Sequence, residues 1–506
     1  MKIKYILGAL TLSTLVTGCS TQTSSTGALK IEYQNSSQQK KNYEDFYSQE
    51  LSWEECGFEE KTSKELSENG LEPERVKCSS IAAPFDWDQP DSKEESINLA
   101  LIKIKAKDPQ PLGTLYGNPG GPGESGLEYI VNQATKQEFS DIADRYDLIG
   151  FDPRGIGGSS PLQCAGESNI EAVNVEKCAD SNNLSISIGT SQVARDMELL
   201  RNLNGDNKLN YLGYSYGTVL GATYATLFPE NTGRLVLDSA DDSNWSSPIS
   251  NFNQAVAVAN SIAKLGEKCK SKFQNCPFMD EESLFNLYEK IHKNPLMTSS
   301  GEKITWEDLY GHLSFALYAP TETQRNLLDT VQKALMGDSS AIGELYTRIK
   351  ENNAEVGPVG TIVACHSYPQ NIDATSLVDH INKVGLPRIL GGPEVTDDTI
   401  ARFLTSPCFS INQDANELDK FDAQGTSEKI LVIGITGDHA TPYSHAQSLV
   451  KELSNAQLLT FEGEGHAVSY TGRSKCIDDA VTTYLIDGIL PSEGMTCKED
   501  PSAGSI

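Results

Sequence analysis

A serine set between glycines, Gly213-Tyr214-Ser215-Tyr216-Gly217, directly follows an apolar run at 209–213 and precedes a helical pattern at 218–228 that stops at Pro229. A strand that bends straight into a helix at a single residue needs glycines on both sides, because side chains there would collide. The helix must then fold back onto a sheet, and the rest of the chain supplies one. Apolar, β-rich runs at 97–106, 113–117 and 146–151 read as strands, the last opening into the turn Asp152-Pro153-Arg154-Gly155, and 234–238 reads as another. From 243 to about 418 helical spacing takes over, as in Glu282-Ser283-Leu284-Phe285-Asn286-Leu287-Tyr288. Strand character returns at 429–435 and 457–461 around a helical stretch at 443–454, and a last helix is expected at about 477–487. The expected fold is α/β, a mostly parallel sheet flanked by helices. Its core is split over 51–242 and 419–506, with a helical cap, or lid, inserted at 243–418.

The amino terminus reads as an address. Lys2 and Lys4 precede an apolar run at 5–16 that is too short to span a bilayer, and Leu15-Val16-Thr17-Gly18-Cys19 is similar to a bacterial lipobox. The expectation is a lipoprotein signal peptide over 1–18 and a lipidated Cys19 that anchors an exported protein to a bacterial cell membrane, outside the cytoplasm. Residues 19–50 are expected to be a flexible tether, since the Ser/Thr/Gln-rich stretch from Ser20 to about Lys40 has too few apolar residues to offset the entropy of ordering it. Loss of 1–18 takes the formal charge from −29 to −31, because two lysines leave and no acid does. Such acidity argues against nucleic acid as a partner. It suits a solvated surface and would also draw in cationic peptides.

Of the eleven cysteines, lipidation uses Cys19 and leaves an even number in an oxidising compartment. They fall as neighbours, and local pairing joins Cys56 to Cys78, Cys164 to Cys178, Cys269 to Cys276, Cys365 to Cys408 and Cys476 to Cys497. No CxxC spacing points to zinc, and neither metal nor cofactor is expected.

A serine hydroxyl is a poor nucleophile at neutral pH and needs an adjacent base, itself held by a carboxylate. Ser215 stands where a strand-to-helix elbow exposes such a hydroxyl. His466, in Glu462-Gly463-Glu464-Gly465-His466-Ala467, follows the last strand on a glycine loop, whereas His439 and His445 precede that strand and His366 sits in the cap. Two carboxylates end strands, Asp238 and Asp438, and Asp438 is favoured because its turn, Thr436-Gly437-Asp438-His439-Ala440-Thr441-Pro442, comes directly before the histidine's strand. Acyl transfer also needs backbone donors aimed at the developing oxyanion. The N–H groups of Gly121, in Asn118-Pro119-Gly120-Gly121-Pro122-Gly123, and of Tyr216 are the candidates.

These segments, with Asp152-Pro153-Arg154-Gly155-Ile156-Gly157-Gly158-Ser159 and Cys476 after the histidine, resemble the tripeptidyl aminopeptidase branch of the α/β-hydrolases. That branch is related to the prolyl aminopeptidases and grouped with exported, often lipid-anchored peptidases. The resemblance spans about 56–497 and implies the α/β-hydrolase fold and a serine exopeptidase. Such an enzyme releases short peptides, tripeptides among them, from free amino termini. There are two departures. Glu124 stands where a small residue is usual, and is the candidate for binding the substrate amine. Ser367, in Ala364-Cys365-His366-Ser367-Tyr368-Pro369, stands where an aspartate is expected. An esterase of the same fold and a non-catalytic binding lipoprotein are the competing functions.

Overall fold

The computed structural model describes residues 34–90, 95–164, 171–355, 357–369, 371–411 and 416–501. The expected signal peptide, Cys19 and the tether up to residue 33 lie outside the described residues. The strands of the main sheet are β1 (Glu54–Glu55), β2 (Val76–Pro84), β3 (Ser96–Ile104), β4 (Thr114–Asn118), β5 (Asp147–Phe151), β6 (Leu209–Tyr214), β7 (Thr232–Asp238), β8 (Ile430–Gly437), β9 (Ala456–Glu464) and β10 (Thr496–Lys498). They form one sheet in the order β1-β2-β3-β5-β4-β6-β7-β8-β9-β10. The edge β1-β2-β3-β5 is antiparallel, and every pair from β5 to β10 is parallel.

The parallel strands are apolar on both faces because both faces are covered. Side chains alternate between the two hydrophobic cores. Leu209, Tyr211, Leu235, Leu237, Ile430 and Val432 enter one, and Leu212, Tyr214, Val236, Leu431, Ile433 and Ile435 enter the other.

Part of the stretch expected as a tether, 19–50, is folded. Helices α1 (Ser36–Asn42) and α2 (Glu44–Tyr47) form there, with Asn35 capping the first. Tyr43, Phe46 and Tyr47, at helical spacing, are buried in the first core, and Gln39 donates to the Arg195 carbonyl. Three buried aromatic side chains, worth roughly 1.5–3 kcal/mol apiece on full burial, offset the ordering of a segment whose composition is otherwise polar.

Helix α3 (Thr190–Leu203) and α4 (Tyr216–Leu227) cover one face of the sheet. The helical insertion includes α5 (Pro248–Lys272), α6 (Trp306–Ala316), α7 (Thr321–Leu335) and α8 (Pro358–His366). A hydrophobic cluster around Phe252, Trp306, Leu309 and Leu328 holds α5, α6 and α7 together, while Ile362 and Val363 of α8 enter the first core. The core resumes with β8, α9 (Tyr443–Leu453), β9 and α10 (Lys475–Asp487). Five disulfides join Cys56 to Cys78, Cys164 to Cys178, Cys269 to Cys276, Cys365 to Cys408 and Cys476 to Cys497.

The Asp152-Pro153-Arg154-Gly155 turn after β5 has a structural task. Arg154 is fully buried and binds Asp196 of α3 through Nε at 2.7 Å and Nη2 at 2.6 Å. It also donates to the carbonyls of Pro84, Phe85 and Ser187, while the Trp87 indole donates to the same Asp196. Removing one partner of such a pair leaves an uncompensated buried charge. Arg154→Ala is therefore expected to lower unfolding free energy by about 3–5 kcal/mol, read from a denaturant midpoint shift at unchanged slope. A loss below about 1 kcal/mol would contradict this account.

Candidate active site

Strand register brings the site together. Asn118 pairs with Gly213, Tyr214 with Asp238, Ile433 with Asp238, and Gly437 with Glu464. The carboxyl ends of β4, β6, β7, β8 and β9 therefore lie side by side, where open α/β sheets hold their ligands.

At the end of β6, Ser215 adopts φ 55° and ψ −129°, a conformation that costs a non-glycine residue about 1–3 kcal/mol. The surroundings impose it. The Ser215 N–H donates to the Asp238 carbonyl at 3.0 Å, and the Thr218 N–H donates to the Ser215 carbonyl at 2.8 Å. A Cβ on Gly213 would stand 2.5 Å from the Gly217 carbonyl oxygen, and one on Gly217 would stand 2.9 Å from that of Asn118. Ser215 is partly open to solvent among neighbours that are buried.

His466 follows β9. Its Nδ1 faces both carboxylate oxygens of Asp438, at 2.9 and 3.1 Å. The Asp438 side chain has no exposed surface, and its Oδ1 accepts from the N–H groups of Ala440 and Thr441 at 2.9 and 3.0 Å. The Thr441 hydroxyl donates to Oδ2 at 3.1 Å. Burial pushes the Asp438 carboxyl up, but the His466 charge and these hydrogen bonds outweigh it and hold the carboxyl below its ordinary range. Burial likewise disfavours the His466 imidazolium, yet the Asp438 charge and hydrogen bond raise its pKa above 6.5.

The other strand-end carboxylate, Asp238, is tied elsewhere. Its Oδ2 accepts from the N–H groups of Val468 and Ser469, at 3.2 and 2.7 Å, and from the Ser469 hydroxyl. One residue thus holds both flanks of the site, the elbow through its carbonyl and the loop after His466 through its carboxylate. Its position at a strand end was the one sequence signal for this role.

The three histidines that the sequence offered as alternatives lie elsewhere or are neutral. His445 pairs with Asp241 at 2.7 Å and lines a crevice of about 540 Å³ between α5 of the cap and the start of α9. His366 Nε2 lies 2.8 Å from the Ser185 carbonyl, and burial pushes its pKa down to about 4. His439 is buried beside His466, with ring centroids 5.9 Å apart, and burial pushes it down to about 4 as well, leaving a neutral imidazole.

The glycine loop after β4 lies against the elbow. A Cβ on Gly120, whose φ is +109°, would come within 2.6 Å of the Tyr214 carbonyl oxygen, 2.9 Å of Ser215 Cβ and 3.2 Å of the Tyr216 nitrogen. Only glycine lets the main chain approach this closely. The Gly120 N–H is engaged by Asn118 Oδ1 at 3.0 Å. Tyr216 is the first residue of α4, where a helical N–H has no intrahelical acceptor. Glu124 is exposed at the loop's end. The protein around it raises its carboxyl above the ordinary range, and the His466 charge draws it back. Ser125, next along, donates to Asp152 at 2.6 Å and so fastens the loop to the turn after β5. Ser367 is the C-cap of α8, in the cap.

Comparison with known proteins agrees with this architecture. Residues 114–264 match the alpha/beta hydrolase fold family, and residues 396–497 match the family described as TAP-like protein. The chain is 29% identical over 468 residues to the serine protease Hip1 of Mycobacterium tuberculosis, covering 83% of this chain and 87% of that protein. It is 28% identical to carboxylesterase B of the same organism, over 88% of this chain and 89% of that one. It is also 28% identical to the tripeptidyl aminopeptidase of Streptomyces lividans, over 84% of each. The fold and these relatives define a serine hydrolase of the α/β-hydrolase superfamily. Within it, this chain resembles the tripeptidyl aminopeptidase branch.

Proposed function

We propose that Ser215, His466 and Asp438 are the nucleophile, general base and orienting acid of a peptidase that releases short peptides, tripeptides among them, from free amino termini. The observation that supports this reading is a strained, partly open Ser215 and an imidazole, His466, whose Nδ1 faces the fully buried Asp438 carboxylate, with Asp238 tied both to the elbow and to the loop after His466. His466 takes the Ser215 proton as Oγ attacks the scissile carbonyl, and returns it to the amine that leaves. Water then repeats the sequence on the acyl-enzyme and regenerates Ser215. The N–H groups of Gly121 and Tyr216 are proposed to bind the oxyanion.

The helical cap, taken as 243–418, is proposed to roof the cleft and close its far end, leaving room for a short amino-terminal segment. Glu124 is the proposed partner of the substrate ammonium, since burying an unpaired charge costs several kcal/mol. Five disulfides suit an oxidising compartment. Export with a lipid anchor at Cys19 completes the proposal, and an unmodified mature terminus at another residue, seen by mass spectrometry, would reject the anchor.

Acetylating a peptide substrate removes its charge and adds bulk at the closed end. If about 3 kcal/mol of recognition is lost, kcat/KM falls roughly a hundredfold. Equal turnover of free and acetylated peptides would reject the aminopeptidase. If activity were then confined to esters, the likeness to carboxylesterase B would become the better guide.

A further inference from the structure

Three rings meet at the site, and one of them belongs to the cap. Tyr318 lies in the turn between α6 and α7. Its ring centroid stands 4.5 Å from that of His439 and 5.6 Å from that of His466, edge to face in both cases. A tyrosine held for packing alone is normally buried, as Tyr116, Tyr211 and Tyr224 are in this chain. Tyr318 is instead 57% exposed, pinned to two imidazoles with much of its ring open. The surrounding protein raises the phenol pKa, and the charges of Asp438 and Glu124 raise it further. Asp438 follows β8, and Glu124 stands at the end of the glycine loop.

We propose that Tyr318 determines specificity, its open face forming the wall of a subsite for an apolar side chain on the leaving-group side of the scissile bond. This rests on the triad proposed above. The general base hands its proton to the departing amine, so a surface in contact with that imidazole borders the departing half of the substrate. A neutral aromatic face, beside a neutral His439, favours an apolar side chain over a charged one, which would lose water without gaining a partner. Because the ring is carried by the cap and rests on the base, the cap also keeps water from that side of His466.

The test uses two series of amino-terminally free peptides, one varied just before the cleaved bond and one just after it, with cleavage positions read by mass spectrometry. In the wild type, leucine or phenylalanine after the bond is expected to exceed glycine in kcat/KM by about tenfold or more. Tyr318→Phe should keep that preference. Tyr318→Ala should abolish it, mainly through KM, and leave the preference before the bond as it was. An unchanged preference in Tyr318→Ala, or a change confined to the residue before the bond, overturns the inference while wild-type peptide cleavage keeps the peptidase standing. A wild type that cleaves esters and no peptide sinks the peptidase, and the same comparison on esters varied in the acyl or the alcohol part then decides Tyr318. Labelling by a fluorophosphonate at the wild-type rate would establish that Tyr318→Ala is folded.

Discussion

Ser215→Ala is expected to lower kcat about ten-thousandfold or more while leaving the protein folded. On the proposed mechanism the substitution removes the one atom that forms the acyl bond, and what would survive is the rate that binding and the oxyanion donors give to direct attack by water. Alanine at φ 55° is as strained as serine, and the Ser215 N–H and carbonyl keep their bonds to Asp238 and Thr218, so the elbow is retained. Thermal unfolding should therefore stay within a few degrees of wild type. Residues that act as one unit are strongly non-additive, and the double variant Ser215→Ala with His466→Ala should be little slower than either single variant. Single-turnover kinetics on a free peptide would measure the loss. Turnover within tenfold of wild type would mean that Ser215 is not the nucleophile.

What could be read in the sequence was what local chemistry decides. The elbow needs its glycines within two residues of the serine, and each buried parallel strand announces itself as a short apolar run, so β4 to β9 fall within a few residues of their expected bounds. β8 runs to Gly437, beyond the expected 435, because Gly437 still pairs with Glu464. Features set by distant partners were harder to see. Helix α3 buries Arg195, Asp196, Glu198 and Arg201, a polar pattern that reads as a solvated surface until the Arg154–Asp196 and Arg201–Glu198 pairs are known. Helices α1 and α2 hid behind their composition, although Tyr43, Phe46 and Tyr47 stand three and four residues apart, as one face of a helix requires. Asp238 and Asp438 both end strands, and sequence favours one without showing which carboxylate turns to the imidazole. Tyr318 sends no signal at all, because its significance lies in two histidines that follow it by more than a hundred residues.

Asp438→Asn separates the roles of the two carboxylates. An asparagine there can keep accepting from the Ala440 and Thr441 N–H groups through its oxygen, which turns its NH₂ towards His466 Nδ1. A donor facing Nδ1 makes that nitrogen the acceptor and moves the imidazole proton to Nε2, the tautomer that cannot take a proton from serine. The plateau of kcat is expected to fall about ten-thousandfold. The pH profile should move as well. In the wild type the His466 pKa is raised above 6.5, and only the neutral ring is a base, so kcat/KM falls as pH drops through that raised value. Without the Asp438 charge, burial remains as the main influence and favours the neutral ring, so the acidic limb should shift to lower pH. A misfolded variant would lose rate without that shift. Asp238→Asn leaves the tautomer alone and can still accept from Val468 and Ser469, so its turnover should stay within about tenfold of wild type, with an acidic limb that moves less than in Asp438→Asn because the Asp238 charge raises the His466 pKa less than that of Asp438. A dead Asp238→Asn beside a fully active Asp438→Asn would transfer the orienting acid to Asp238.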